Sequence, residues 1–320
     1  MPIEFIGSLV SASPGASPSA WGVRSGLESD PEYPSRIAAL HEESGFDRVL
    51  VEASPGSPDA FIVANQVLTT TSRLGVLVAQ RPGLVAPTVA ARQYATLEAF
   101  HRGRVAMHVT MGSGDAGLLG DADPGTGRAR YRRADEFLEV VKRTWSSCEP
   151  FDYGGEFYRV AGAMSAVRPS AGALPIYVAG GSGEAAETGG KHADVYALWD
   201  EPLTAMAERI AEVRAVAGRH RRSPRFSVSV RLIAAPTQDA ARNRADRIFG
   251  AQRAGRARAA SQDALVGSYE QVAMALVAHV AAGASSLLIN GYDPQADAAD
   301  HAAVIRLVRE RVQDGRCLVA

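Results

Sequence analysis

Short apolar, β-branched runs alternate with longer amphipathic stretches along the whole chain. Runs at Ile3–Val10, Arg48–Glu52, Leu74–Gln80, Val105–Val109, Ile176–Ala179, Val195–Leu198, Phe226–Leu232 and Ser286–Asn290 read as strands. Several are almost wholly apolar, the pattern of a parallel strand covered on both faces. Helical patterns fall between them, at Pro87–Phe100, Arg130–Ser147, Pro202–Gly218, Gln238–Ala251, Ser268–Ala282 and Ala299–Val312. Pro34 and Pro87 suit first helical turns, where a missing N–H costs nothing. Eight strands separated by helices predict an α/β fold, a closed (β/α)8 TIM barrel rather than an open sheet.

Three segments interrupt the alternation. Ser11–Glu32 is rich in Ser, Pro and Gly and follows the first strand. Phe151–Val160, FDYGGEFYRV, reads as a hairpin around Gly154-Gly155. Arg219–Pro224 is a basic turn before the seventh strand. No repeat or low-complexity linker divides the chain, so residues 1–320 are expected to form one barrel domain. Its insertion segments, at the C-terminal face, are a hairpin near 151–160 and a short lid near 251–264.

Composition narrows the function. Apolar residues at 46% and charged residues at 22% suit a large core. Lys+Arg 34 against Asp+Glu 35 leaves a net charge of −1, which gives nucleic acid no electrostatic footing. Cys148 and Cys317 are far apart and near no other metal-type ligand, so neither a disulfide framework nor a zinc site is expected. The start MPIEFIGSLV lacks a basic n-region and a long apolar core, and no apolar run is long enough for a bilayer. A cytoplasmic protein is the expectation.

In a β/α barrel, reactive groups come from strand C-termini and the loops after them. That rule selects Ser8–Ser13, Glu52–Asp59, Gln80–Arg81, His108–Ser113, Gly180–Gly183, Trp199–Glu201, Arg231 and Asn290–Asp293. In YVAGGSGEAAETGG a strand ends in Gly180-Gly181-Ser182-Gly183 and a short helix begins at about Glu184. Glycines let backbone approach an anion, and the first helical N–H groups point at it. A plain helix N-cap on a tight turn is the alternative. The run Gly112–Gly117 matches a dinucleotide G-x-G-x-x-G literally. Gly120, Pro124, Gly125 and Gly127 forbid the immediate helix that pattern needs, so it reads as a mouth loop. The seven histidines show no ligand spacing, and no G-x-S-x-G elbow is present. Arg253, Arg256 and Arg258 are either a solvated loop or an anion-gripping lid.

Several blocks together carry a resemblance: RPGLVAPTVAARQYATLEAFHRGR, Arg130-Tyr131…Asp135-Glu136-Phe137, FDYGGEFYRV, PIYVAGGSGEAAE, YALWDEP and INGYDP. In order and spacing the chain resembles the bacterial luciferase-like flavin monooxygenases, in the branch that contains alkanesulfonate monooxygenase. The resemblance implies FMN, bound as FMNH2 and delivered by a separate NAD(P)H-dependent flavin reductase, with O2 as co-substrate and a C4a-peroxyflavin as oxygenating species. It also implies a small-molecule substrate, an organosulfur or sulfonate compound first, and a homodimer or homotetramer. By the same resemblance, the FMN phosphate should rest on Gly181, Ser182 and Gly183, with Tyr131 reaching in from a lid helix. His108 and Thr110 should flank the ring or ribityl chain.

On the substrate side the resemblance points to Arg231, Tyr292, Trp199 and Arg258, and to Ser57, which stands where the sulfonate enzymes carry a cysteine. The chain departs from that branch in three further places. Ile233 replaces a pocket histidine, the loop SASPGA lacks another, and the insertion before Arg258 is missing. For Arg231, an ion pair with Asp200 or Glu201 is the alternative to a ligand; for Trp199, a place in the barrel core. A deazaflavin F420-dependent oxidoreductase and a non-catalytic flavin-binding protein are the rival readings of the whole.

Overall fold

A computed structural model describes residues 3–9, 30–53, 57–111, 127–199, 201–253 and 264–314. The chain runs β1 (Glu4–Leu9), α1 (Tyr33–Glu43), β2 (Arg48–Val51), α2 (Ala60–Thr70), β3 (Gly75–Gln80), α3 (Pro87–Phe100) and β4 (Val105–Val109). It continues through α4 (Gly127–Ser146), the strands β5 (Phe151–Gly154) and β6 (Arg159–Ala163), β7 (Ile176–Ala179), α5 (Gly183–His192), β8 (Val195–Trp199) and α6 (Leu203–Arg219). It ends with β9 (Arg225–Ala235), α7 (Gln238–Arg253), β10 (Ala264–Ser268), α8 (Tyr269–Ala281), β11 (Ser286–Asn290) and α9 (Pro294–Gln313).

Eight parallel strands close into a barrel in the order β1-β2-β3-β4-β7-β8-β9-β11, with β11 pairing back to β1. This is the expected (β/α)8 architecture. β4, β7 and β11 have the expected bounds, because each apolar run is covered on both faces and ends in polar residues or glycine. The seventh barrel strand differs. β9 runs on to Ala235, and its distal half, Arg231–Ala235, pairs with a ninth parallel strand, β10. The β5–β6 hairpin forms a separate two-stranded sheet whose connection is residues 155–158. The carboxylate of Glu136 on α4 accepts the N–H groups of Glu156, Phe157 and Tyr158 there, which fixes the turn.

Side-chain alternation sorts each strand into two faces. Val49, Val51, Val76, Val78, Val105, Met107, Val109, Ile176 and Val178 pack outward into the main core with the helices. Ile6, Leu50, Leu77, Ala106, Tyr177, Val195 and Leu288 pack together inside the barrel. Near its N-terminal end the Glu4 carboxylate accepts from Arg48 Nε at 2.9 Å and from the Tyr177 hydroxyl at 2.7 Å. One or two steps further along each strand, the same inner phase reaches the C-terminal mouth. There it presents Glu52, Ala79, His108, Ala179, Trp199, Ser229, Arg231 and Asn290.

Candidate active site

The glycine-rich turn closes β7 and opens α5, which starts at Gly183. Ser182 is the N-cap, its hydroxyl accepting from Ala185 N at 3.2 Å. The Tyr131 hydroxyl, on the first turns of α4, hydrogen-bonds Ser182 and lies against Gly180. A Cβ on Gly180 would stand 2.5 Å from both the Tyr131 hydroxyl and the Ala185 Cβ, so only glycine fits there. A Cβ on Gly181 would meet open space. The turn is therefore packed tight on its helix side and clear on its mouth side. Arg128, at the start of α4, pairs with Glu184 in the first turn of α5 at 3.2 Å and brings a cation to the same helix end. The cap, one of the two readings open in sequence, is formed, and it leaves the mouth side of Gly181 clear.

One strand away stands His108, in register with Tyr177 of β7 and Ala79 of β3. It is buried, and its Nδ1 has no hydrogen-bond partner among the described residues. Burial lowers its pKa to about 4, so the imidazole is neutral at any ordinary working pH. Thr110 follows on the same phase, its backbone N–H bonded to Gln80 O at 3.1 Å. Trp199 ends β8 beside Ser229 of β9 and is 50% exposed, which rules out a place in the barrel core.

Arg231 is half-buried at the end of the barrel portion of β9, in register with Asn290 of β11. Its guanidinium lies 5.7 Å from the centroid of the Tyr292 ring. No carboxylate pairs with it among the described residues. Asp200 lies outside them, and Glu201 makes no such contact. Tyr292 is also met edge-on by Phe249 of α7, with centroids 5.7 Å apart. Its backbone is held from below. Asp297, buried on the first turn of α9, accepts the N–H groups of Tyr292 at 2.7 Å and Asp293 at 2.8 Å. Arg244 of α7 pairs with Asp297 and Asp300 together. Neither Asp297 nor Arg244 stands out in sequence, because an acid in a helical first turn and a base on an amphipathic helix look like ordinary surface charge.

Ser57 lies just before α2, on the β2 side of the mouth. Arg258, with Arg256, the Gly112–Gly117 run and the SASPGA loop, falls outside the described residues. The other side chains singled out from sequence all sit at the C-terminal ends of barrel strands or in the turns that follow. The exception is Tyr131, which α4 carries to the β7 turn. Asp135, Glu139 and His192 each put a potential ligand atom within 4.8 Å of one another. The Lys191 ammonium already bridges that cluster, 2.9 Å from Asp135 and 2.6 Å from Glu139, so it reads as an ion-pair clasp between α4 and α5.

A family model described as luciferase-like monooxygenase matches residues 12–313. The chain belongs to that family. Membership makes it an enzyme of the flavin-dependent monooxygenase type, built on the barrel described above. Solved structures agree on the fold. EDTA monooxygenase from Chelativorans sp. BNC1 superposes with a TM-score of 0.84 at 18% identity, over 97% of this chain and 94% of that one. The oxygenating constituent of 3,6-diketocamphane monooxygenase from Pseudomonas putida, in complex with FMN, gives 0.75 at 17%, over 98% of each chain. An F420-dependent secondary alcohol dehydrogenase gives 0.77 at 17%, over 96% and 99%. Among the described residues, no helix is long and apolar enough to cross a membrane.

Proposed function

We propose that this luciferase-like enzyme is the oxygenating half of a two-component system. It takes FMNH2 from a separate NAD(P)H-dependent reductase and oxygenates a small anionic organic molecule with O2, an organosulfur or sulfonate compound being the leading class. The observation that carries this reading is the turn Gly180–Gly183. It offers an open helix N-terminus at the mouth, with the Tyr131 hydroxyl at its edge, one strand from the unpartnered Nδ1 of buried His108. A phosphomonoester suits the first and a ring or ribityl hydroxyl suits the second. All 320 residues are taken to serve one barrel domain.

Reduced FMN supplies the reaction with O2 that delivers one oxygen atom to the substrate and the other to water. The chain holds, orients and dries. The N–H groups at Gly181 and Gly183, the Ser182 hydroxyl and Tyr131 hold the phosphate. His108 and Thr110 flank the ring or ribityl chain; because His108 is neutral, it contributes one N–H and one lone pair and no charge. Arg231 takes the anionic group of the substrate, since a half-buried guanidinium without a carboxylate is costly unless an anion meets it. Trp199 and Tyr292 wall the space between, Ser57 offers a hydroxyl from the β2 side, and Arg258 closes from the lid.

An F420-dependent oxidoreductase remains the second reading, favoured by the likeness to the F420-dependent dehydrogenase. Parallel titrations with FMNH2 and F420 separate the two, and preference for F420 overturns the FMN reading. Mixing the FMNH2 complex with O2 then tests catalysis. Flavin reoxidation no different from that in free solution marks a flavin carrier instead. We further assign the groove between α2 and α3, lined by Phe61, Val89, Leu97 and Phe100, to a second copy of the chain. Phe100, on its rim, is 72% exposed. Light scattering on the purified protein checks the dimer.

A further inference from the structure

Glu52 follows directly after β2, two residues beyond Leu50, which packs inside the barrel. Alternation therefore turns its carboxyl toward the barrel axis. Register carries the position across the sheet: Leu50 pairs with Leu77 of β3, which sets Glu52 beside Ala79, and Ala79 pairs with His108 of β4. Two polar side chains thus face the mouth from either side of an alanine, with backbones about 10 Å apart across two strand spacings. Both are starved of partners. No hydrogen-bonding or charged group among the described residues acts on Glu52, and burial alone raises its pKa. His108 Nδ1 is likewise unmet. Several other polar groups inside the barrel are satisfied, as where Glu4 meets Arg48 and Tyr177, or Asn290 donates to Ser229 at 3.0 Å. A half-buried carboxyl left without a donor is a costly arrangement that a bound N–H group would relieve.

Resting on the flavin reading, we propose that Glu52 recognises the pyrimidine edge of the isoalloxazine ring, its carboxylate accepting the imide N3–H while the ring lies over Ala79 with His108 on the far side. The small Ala79 side chain leaves room for a flat ring where a larger residue would fill the gap. The imide end is the part of the ring system rich in N–H and carbonyl groups, whereas the dimethylbenzene end offers no donor for a carboxylate. The phosphate cradle at the β7 turn and this edge contact then define the two ends of one ligand.

The test compares FMN with 3-methyl-FMN, in which the N3–H is replaced, by quenching of flavin fluorescence. Wild-type protein should bind FMN about tenfold more tightly, the worth of one charge-assisted hydrogen bond. E52L should bind both equally, at the weaker affinity. E52Q, whose amide oxygen still accepts and whose shape is unchanged, should keep a reduced preference for FMN. Equal binding of the two flavins by wild type, or an undiminished preference in both variants, overturns the assignment. Failure of wild type to bind FMN at all would instead overturn the flavin reading on which it rests.

Discussion

The guanidinium of Arg231 on β9 lies over the ring of Tyr292, 5.7 Å from its centroid, in the loop after β11. The strand that carries Arg231 and the one that leads into the Tyr292 loop are neighbours in the barrel, and the contact gives Arg231 an electrostatic partner that consumes none of its N–H groups. A π face steadies a cation by about 0.5–2 kcal/mol depending on desolvation. A carboxylate would have neutralised it. Among the described residues none pairs with it, which is the basis for proposing that Arg231 meets an anionic ligand.

Replacing Arg231 with Ala should leave FMN affinity within about twofold and lower kcat/KM about a hundredfold, the loss of a charge-assisted contact to substrate. Y292L should fall between this variant and wild type, because it frees the guanidinium without removing it. Fluorescence titration and oxygen uptake read the two effects apart. Unimpaired turnover in R231A would remove the residue from the mechanism.

Neighbouring glycines in the β7 turn should respond in opposite ways. G181A places a methyl in open space on the mouth side, so the protein should melt like wild type yet bind FMN at least tenfold more weakly. G180A drives a methyl into Ala185 and Tyr131, and should lower stability as well. Y131F should cost FMN about fivefold in affinity, the net worth of one hydrogen bond, and leave riboflavin binding unchanged. Thermal melts beside titrations with both flavins check all three.

Cutting the support beneath Tyr292 should be expensive. D297A takes one of its two carboxylates from Arg244, which keeps Asp300, and leaves the N–H groups of Tyr292 and Asp293 without their acceptor. Leaving buried donors without their acceptor in this way costs about 1–3 kcal/mol. Urea denaturation measures the loss. A D297N variant, which keeps an oxygen for the two N–H groups, should lose less.

Acid should destabilise the fold through its buried imidazoles. Burial lowers the pKa of His41, His108 and His301 from 6.5 to about 4. A depressed folded-state value means that the stabilisation is complete above pH 6.5 and is lost as pH falls from there towards 4. With each pKa unit worth about 1.4 kcal/mol, each histidine contributes on the order of 3 kcal/mol. Denaturation midpoints should fall steadily between pH 7 and pH 4.5, and H301Q should flatten the slope. A midpoint constant over that range would refute the account.

Much of this molecule is legible in the order of its residues. Mostly apolar runs mark β4, β7 and β11 to the residue, since a strand buried on both faces is largely apolar. β9 is harder to read. Ser227, Ser229 and Arg231 face inward and break its run, and its continuation to Ala235 depends on β10, a partner separated from it by the whole of α7. Ala264–Ser268 carries only a weak strand signal, its apolar run being three residues before Gly267 and Ser268, and it pairs along the edge that β9 offers. The glycine turn was visible as a possible anion site because backbone approach and helix polarity are local properties. Resemblance implies only that Tyr131 reaches in from a lid helix; its hydrogen bond to Ser182 rests on how α4 lies across the turn.

Local chemistry thus settles where the eight strands of the ring lie, apart from the far end of β9, and which loops stand at their C-terminal ends, because hydrophobic period and turn residues act over a few positions. Barrel closure decides the rest. It sets Arg231 on Tyr292, slides Asp297 under the loop that carries that ring, and leaves Glu52 and His108 facing one space across Ala79. Those relations depend on register and helix placement between segments distant in the chain, and no short stretch of residues encodes a distance to another.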